Sequence, residues 1–216
     1  MIYQLIDTGN SRSFPGAHPF LEKAEASGDV VVIVGENAAK SLQTLAQAES
    51  RTAILIELGT ECLGVHTGEG HGREGSNVLG FARFRLGSAE PTSLVEVVRQ
   101  PNTTETALAA AREIFEAAGL QVAICGDFDG RIIDRLVRPY FNAALRRLDE
   151  GLATADDLDT TLKLGLGYPE GPISLLERTG LEHHHDVTQA LFEALGDPAY
   201  ASARRARVAK TRRSTK

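Results

Sequence analysis

Residues 134–151 read DRLVRPYFNAALRRLDEG. Ile132, Leu136, Tyr140, Ala144 and Leu148 recur through this stretch at every fourth position, with Ile133, Val137, Phe141 and Leu145 alongside them. Such spacing predicts an amphipathic helix whose apolar face meets a core. Arg131, Arg135, Arg138, Asn142 and Arg146 fall on the other side. Pro139 lies inside the pattern, where it removes a backbone donor, so a kink is expected near Arg135.

Further helices follow at short intervals. Thr154 with Asp157 three residues on forms a capping pair, Leu158 and Leu162 supply buried rungs, and Gly165 is expected to end that helix. The segment GLGYPEGP (165–172) offers three glycines for unusual dihedrals or close backbone approach. Pro172 suits the first position of a helix from Ile173 to Arg178. Val187, Leu191 and Leu195 then mark a last helix that stops at Gly196.

The string from Asp134 to Pro172 resembles the C-terminal domain of the 3-hydroxyacyl-CoA dehydrogenases. That family's pattern is N-R-L-x-x-P-Y-x-N-E-A, then E-D-I-D-x-A-M-K-x-G-x-G-x-P-x-G-P. Arg135, Leu136, Pro139, Tyr140, Asn142, Ala143, Asp157, Asp159, Lys163, Gly165, Gly167, Pro169, Gly171 and Pro172 match it in register. Gly180-Leu181 and Gly196-Asp197-Pro198 continue the likeness.

Upstream, strands and helices alternate. MIYQLID (1–7), DVVVIV (29–34), TAILIEL (52–58), VLGFARF (78–84), SLVEVV (93–98) and LQVAIC (120–125) read as strands. Asn37 to Ala48 has a helical pattern, and Thr104 caps a helix that runs to Ala118. Near-continuous Val/Ile runs between helices predict a mainly parallel sheet. DVVVIVGENAAKSLQTL, TAILIELGTECL and VLGFARF…LVEVVR are similar to the second part of the family's nucleotide-binding domain. The sequence before residue 29 is too short for the family's opening β-α-β unit. The expected organisation is α/β plus all-α. A partial, truncated Rossmann-like domain (1–126) precedes a helical 3-hydroxyacyl-CoA dehydrogenase C-terminal domain (127–200). Residues 201–216 form a basic, largely disordered tail.

Composition sets outer limits. The longest apolar run, Val30 to Val34, is far too short to span a membrane. MIYQLIDTGN lacks the basic and apolar regions of a secretory signal, and Cys62 and Cys125 alone give no disulfide framework. A cytoplasmic location is expected. Seven of the 23 Lys and Arg residues, and none of the 29 acids, lie in 201–216, which leaves residues 1–200 with a net charge of −13. That tail has no aromatic side chains for base stacking, so nucleic acid is not the expected partner.

A dinucleotide needs a Gly-rich turn after the first strand, opening a helix toward the pyrophosphate. TGNSRSFPG (8–16) follows instead, with Ser11 and Phe14 where glycines are required. A literal G-x-G-x-x-G at Gly70, Gly72 and Gly75 precedes a strand, so a flexible loop is expected there. The resemblance implies a histidine base paired with a carboxylate, NAD as hydride acceptor, and a serine and an asparagine that hold substrate. Glu96 matches the carboxylate, whereas the histidine position is Ala82. The asparagine position is Asp134, and the serine region reads Thr60-Glu61-Cys62. Without an imidazole, Glu96 is expected to be a solvent-facing strand residue, since Val95 and Val97 point inward. Asp134, Arg135 and Arg138 are candidate substrate-binding residues; Arg131, Arg135 and Arg138 either meet the phosphates of coenzyme A or form a charged outer face.

Cys62, His66, Glu69 and His71 are metal-ligand types, but their spacing fits no standard zinc pattern, so no metal is expected. His183-His184-His185 is read as a partly exposed helix start. No cofactor is expected in this chain. The expected partner is a second copy or an intact homologue, met through the helical domain, with acyl-CoA as a possible contact and no membrane. The competing readings are an active NAD-dependent dehydrogenase with atypical site residues, and a binding protein acting through the basic tail.

Overall fold

The computed structural model describes residues 1–68 and 76–214. Its contacts divide the chain into two units, one of residues 1–85 and 91–131, the other of residues 86–90 and 132–216.

The first unit is built on a six-stranded sheet in strictly sequential order: β1 (Tyr3–Asp7), β2 (Val30–Val34), β3 (Ala53–Glu57), β4 (Val78–Arg83), β5 (Leu94–Arg99) and β6 (Gln121–Gly126). β1 to β4 run parallel, β5 is antiparallel to β4, and β6 is parallel to β5. VVVIV and the apolar residues of β3 are wholly buried, as β-branched runs covered on both faces require. One face carries Val30, Val32, Leu55, Leu79, Phe81 and Val97 under α4 (Glu105–Glu116) and a stack of Phe14, Phe20 and Phe115. The other carries Val31, Ile33, Ile54, Ile56 and Val98 under α2 (Ala38–Thr44) and Leu63. Here α2 stops at Thr44, short of the expected Ala48, and a 3-10 turn at Ala48–Ser50 leads into β3.

The sequential order leaves no point at which the strands reverse their advance. The connection from β1 to β2, with the short α1 (Pro19–Glu22), lies on the Phe20 face, whereas that from β2 to β3 lies on the Ala38 face. Parallel strands that advance one way with connections on opposite faces have connections of opposite hand. One of these two therefore departs from the right-handed rule.

The second unit contains α5 (Ile133–Asp149), α6 (Ala155–Leu166), α7 (Pro172–Thr179), α8 (Leu181–Leu195) and α9 (Arg204–Ser214). α6 runs through Gly165 and ends at Gly167, which adopts the left-handed conformation of a C-cap. Asp159 then caps α7: its carboxylate accepts from Ile173 N and Ser174 N, each at 2.9 Å, and from Ser174 Oγ at 2.6 Å. A side chain at Gly171 would collide with Asp159, its Cβ falling 2.1 Å from Cγ, so this position requires glycine.

α5 buries Phe141, Ala144 and Leu145 of its expected apolar face, but the first turn of that face is exposed and polar residues are buried beside it. Leu136 is 70% exposed and Ile132 39%, whereas Arg138 is 1% and Asn142 0%. The buried residues are Asp134, Arg138, Phe141, Asn142, Ala144 and Leu145. Arg138 Nε donates to Asp134 Oδ1 at 2.7 Å, and Arg138 Nη1 lies 3.2 Å from His184 Nδ1. His184 Nε2 meets Asn142 Oδ1 at 3.0 Å, and Asn142 Nδ2 donates to Thr188 Oγ1 at 2.7 Å. A polar set that satisfies itself can be buried, and that overrides hydrophobic patterning. His184 is accordingly buried rather than at a partly exposed helix start. Pro139 leaves the Arg135 carbonyl without its helical donor, and Tyr200 Oη donates to it at 3.1 Å. The helix is continuous through this position.

The basic stretch expected to be disordered is α9. Ala203 and Ala206 are buried, and Arg205 pairs with Asp149 (3.1 Å), Lys210 with Asp186 (2.7 Å) and Arg213 with Glu182 (2.5 Å). Two small residues allow close packing, and acids on α5 and α8 take the charge that made the segment read as a free tail.

Candidate functional site

β4 and β5 place Ala82 and Glu96 directly opposite one another in antiparallel register. Both are buried, Ala82 at 5% and Glu96 at 2%, so Glu96 is not the solvent-facing carboxylate expected. A carboxylate withdrawn from water needs a charge partner. It comes from the turn after β6, where Gly130 and Arg131 adopt positive φ of 74° and 52°. This turn sends the Arg131 side chain under cover, with Nη2 donating to Gly59 O at 2.6 Å and Nε 3.5 Å from Glu96 Oε2. Glu96 therefore faces a permanent cation rather than an imidazole, and Arg131 is not on a charged outer face. Sequence reasoning missed this partner. The signal that points to it is a strand carboxylate opposite an alanine, which demands a cation from elsewhere.

The remaining candidates separate. Asp134 and Arg138 meet each other in the buried pair of α5, while Arg135 is exposed and contributes its backbone carbonyl to Tyr200. Burial pushes the Cys125 thiol up to about 11, with the Glu96 charge adding to it, and burial also raises Cys62. Neither is an activated thiolate. Gly70, Gly72, Gly75, Glu69 and His71 lie outside the described residues. Among those described, no group of three His, Cys, Asp or Glu residues is arranged to hold a metal, and no helix is long and apolar enough to cross a membrane.

At the carboxyl ends of β1 to β3 a carboxylate already takes two backbone amides. Glu57 Oε1 accepts from Ser13 N at 2.6 Å and Oε2 from Gly35 N at 2.7 Å. Gly35 has φ +96°, and an added Cβ would fall 2.2 Å from Gly9 O, so the loop after β1 closes tightly on the end of β2. A Rossmann pyrophosphate needs free amides and a helix N-terminus at this edge. These residues supply a fixed carboxylate instead, which would repel a phosphate, and they do not fit an NAD pyrophosphate.

The fold class is thus a mostly parallel α/β sheet followed by a helical domain. Residues 130–216 match the family described as "3-hydroxyacyl-CoA dehydrogenase, C-terminal domain". The match includes α9, which lies beyond the expected boundary at residue 200. Mitochondrial hydroxyacyl-coenzyme A dehydrogenase of Sus scrofa is 40% identical, over 46% of this chain and 35% of its own length. The 3-hydroxybutyryl-CoA dehydrogenase of Mycobacterium tuberculosis H37Rv is 33% identical, over 59% of this chain and 44% of its own. The crystal structure of 3-hydroxybutyryl-CoA dehydrogenase from Escherichia coli K12 superposes with a TM-score of 0.69 at 25% identity, covering 85% of this chain and 39% of that one. The chain spans less than half the length of the curated relatives it matches.

Proposed function

We propose that this chain is a member of the 3-hydroxyacyl-CoA dehydrogenase family that does not carry out the family's oxidation. It acts as a dimerising or acyl-CoA-contacting module, with a second copy or an intact homologue as partner. The observation that carries this reading is Glu96 paired with Arg131 and opposed by Ala82. A methyl group cannot accept the hydroxyl proton, and a carboxylate neutralised by arginine has no imidazole to orient. Asp134, at the position of the family's asparagine, is likewise committed to Arg138. Two free cysteines suit a reducing compartment, in keeping with a cytoplasmic site.

Titration of the purified chain with NADH and with acetoacetyl-CoA tests this reading. We expect no enhancement of NADH fluorescence and no acetoacetyl-CoA-dependent consumption of NADH. Ala82→His should not restore activity, because Arg131 still neutralises Glu96 and Glu57 still fills the amides at the strand ends. Turnover of NADH by the unmodified chain would overturn the proposal.

A further inference from the structure

After β3 the chain turns through Thr60 and Glu61 into α3 (Gly64–Thr67), a helix of a single turn. It is held from several sides. Asp127 accepts from Leu63 N at 2.5 Å and Gly64 N at 2.8 Å, and Asp129 accepts from Cys62 N at 3.2 Å. Gln100 Nε2 donates to Thr67 Oγ1 at 2.9 Å and to Asp127 Oδ2 at 3.0 Å. These bonds hold the turn that carries His66, whose Nε2 lies 3.1 Å from Glu61 Oε1. The same Oε1 accepts from Gly59 N at 3.0 Å. Burial pushes the Glu61 carboxyl up, but the backbone donors and His66 outweigh it and hold the group below the usual carboxylate range. An ionised carboxylate is an acceptor only, so Nε2 is the nitrogen that donates to Glu61. No residue of the described structure hydrogen-bonds Nδ1.

Glu61 and His66 line one end of a cleft of about 250 Å³ at the carboxyl ends of β2 and β3. Asn10, Arg12, Glu36 and Glu57 line the rest of its polar surface. A carboxylate that orients an imidazole at the wall of a cavity is an arrangement that general bases use. We propose that Glu61 and His66 form an acid–base dyad, separate from the Ala82–Glu96 positions, that accepts a proton from a hydroxyl group, water included, of a small uncharged or cationic ligand. The ligand class follows from the lining: three glutamates, Glu36, Glu57 and Glu61, against one arginine, Arg12, disfavour phosphates and carboxylates. The volume is small beside the roughly 300–1,000 Å³ of drug-sized sites. The dyad does not depend on the family's reaction and stands whether or not NADH binds.

Hydrolysis of p-nitrophenyl acetate reads the dyad directly. Nδ1 of His66 takes a proton from water as the water oxygen bonds to the ester carbonyl carbon. The bond to p-nitrophenolate then breaks, acetic acid forms, and His66 returns its proton to the solvent. Positioned general bases contribute about 10² to 10⁴ in rate; for a non-native ester we expect His66→Ala to lower the rate by about tenfold or more. Added imidazole should restore it. Glu61→Gln, which keeps the ring but loses its orienting charge, should give an intermediate loss with unchanged circular dichroism. Ethanolamine should inhibit the unmodified chain and inorganic phosphate should not. A rate unchanged in His66→Ala, or a loss that imidazole fails to rescue in a folded variant, overturns the dyad. Inhibition by phosphate rather than ethanolamine overturns the ligand class.

Discussion

Glu96 is removed from water by its own strand and its neighbours, and the Arg131 guanidinium is the charge that makes this tolerable. Buried pairs are weak evidence of net stability, but removing one partner leaves the other charged and unsolvated. Arg131→Met is therefore expected to cost about 3–5 kcal/mol, read as a lowered urea midpoint, and adding Glu96→Leu should recover most of the loss. Equal instability in the single and double variants would show that the pair does not matter. His184 makes a second prediction. Burial, and then the Arg138 charge, push its pKa down to about 3, so it is neutral in the fold but near 6.5 when unfolded. Below about pH 6.5 the unfolded chain binds the proton and the folded chain does not, so stability is lost as pH falls toward 3. The limiting slope is about 1.4 kcal/mol per pH unit. Between pH 6.5 and 5, above the carboxylate range, His184→Gln should flatten that dependence; an unchanged slope would place the titration elsewhere.

At the scale of elements, the strands were legible because Val/Ile runs buried on both faces leave few alternatives. The helices of the second unit were legible from caps and spacing, although on α5 only Phe141, Ala144 and Leu145 were rightly read as buried, and Leu136, Arg138 and Asn142 were not. Periodicity says that a helix has two faces, but which one is buried depends on partners from other elements. Here Asp134, His184 and Thr188 make Arg138 and Asn142 the inward residues. Arg131 was misread for a related reason, since its direction follows from a left-handed turn that no spacing rule marks. α9 lacked apolar periodicity altogether, and its attachment rests on two alanines and on acids far away in sequence. Deleting residues 202–216 should therefore lower the melting temperature of the helical unit, and raising the salt should weaken the full-length chain toward the deleted one. An unchanged melting temperature would return α9 to the status of a solvated tail.

At the scale of the molecule, α5 and the segment from Leu152 to the end of α6 leave apolar side chains on the surface of the second unit. Leu136 is 70% exposed, Leu164 82%, Leu166 63% and Leu152 68%. Patches of large exposed apolar side chains tend to mark a surface that a partner covers. The proposed association of this unit with a second copy or an intact homologue predicts that these leucines, not the core of α5, carry the contact. Phe141 is 6% exposed and packs edge-on against His184, so Phe141→Glu should unfold the unit rather than dissociate it. Leu136→Glu with Leu164→Glu should instead leave the helical signal in circular dichroism unchanged. Light scattering should then report a dimer for the unmodified chain at micromolar concentration and a monomer for the double variant. A chain that is monomeric even at high micromolar concentration would exclude self-association, and an intact homologue would then have to be the partner. Failure of both to associate would leave the exposed leucines without a covering surface and remove the basis for the module's role.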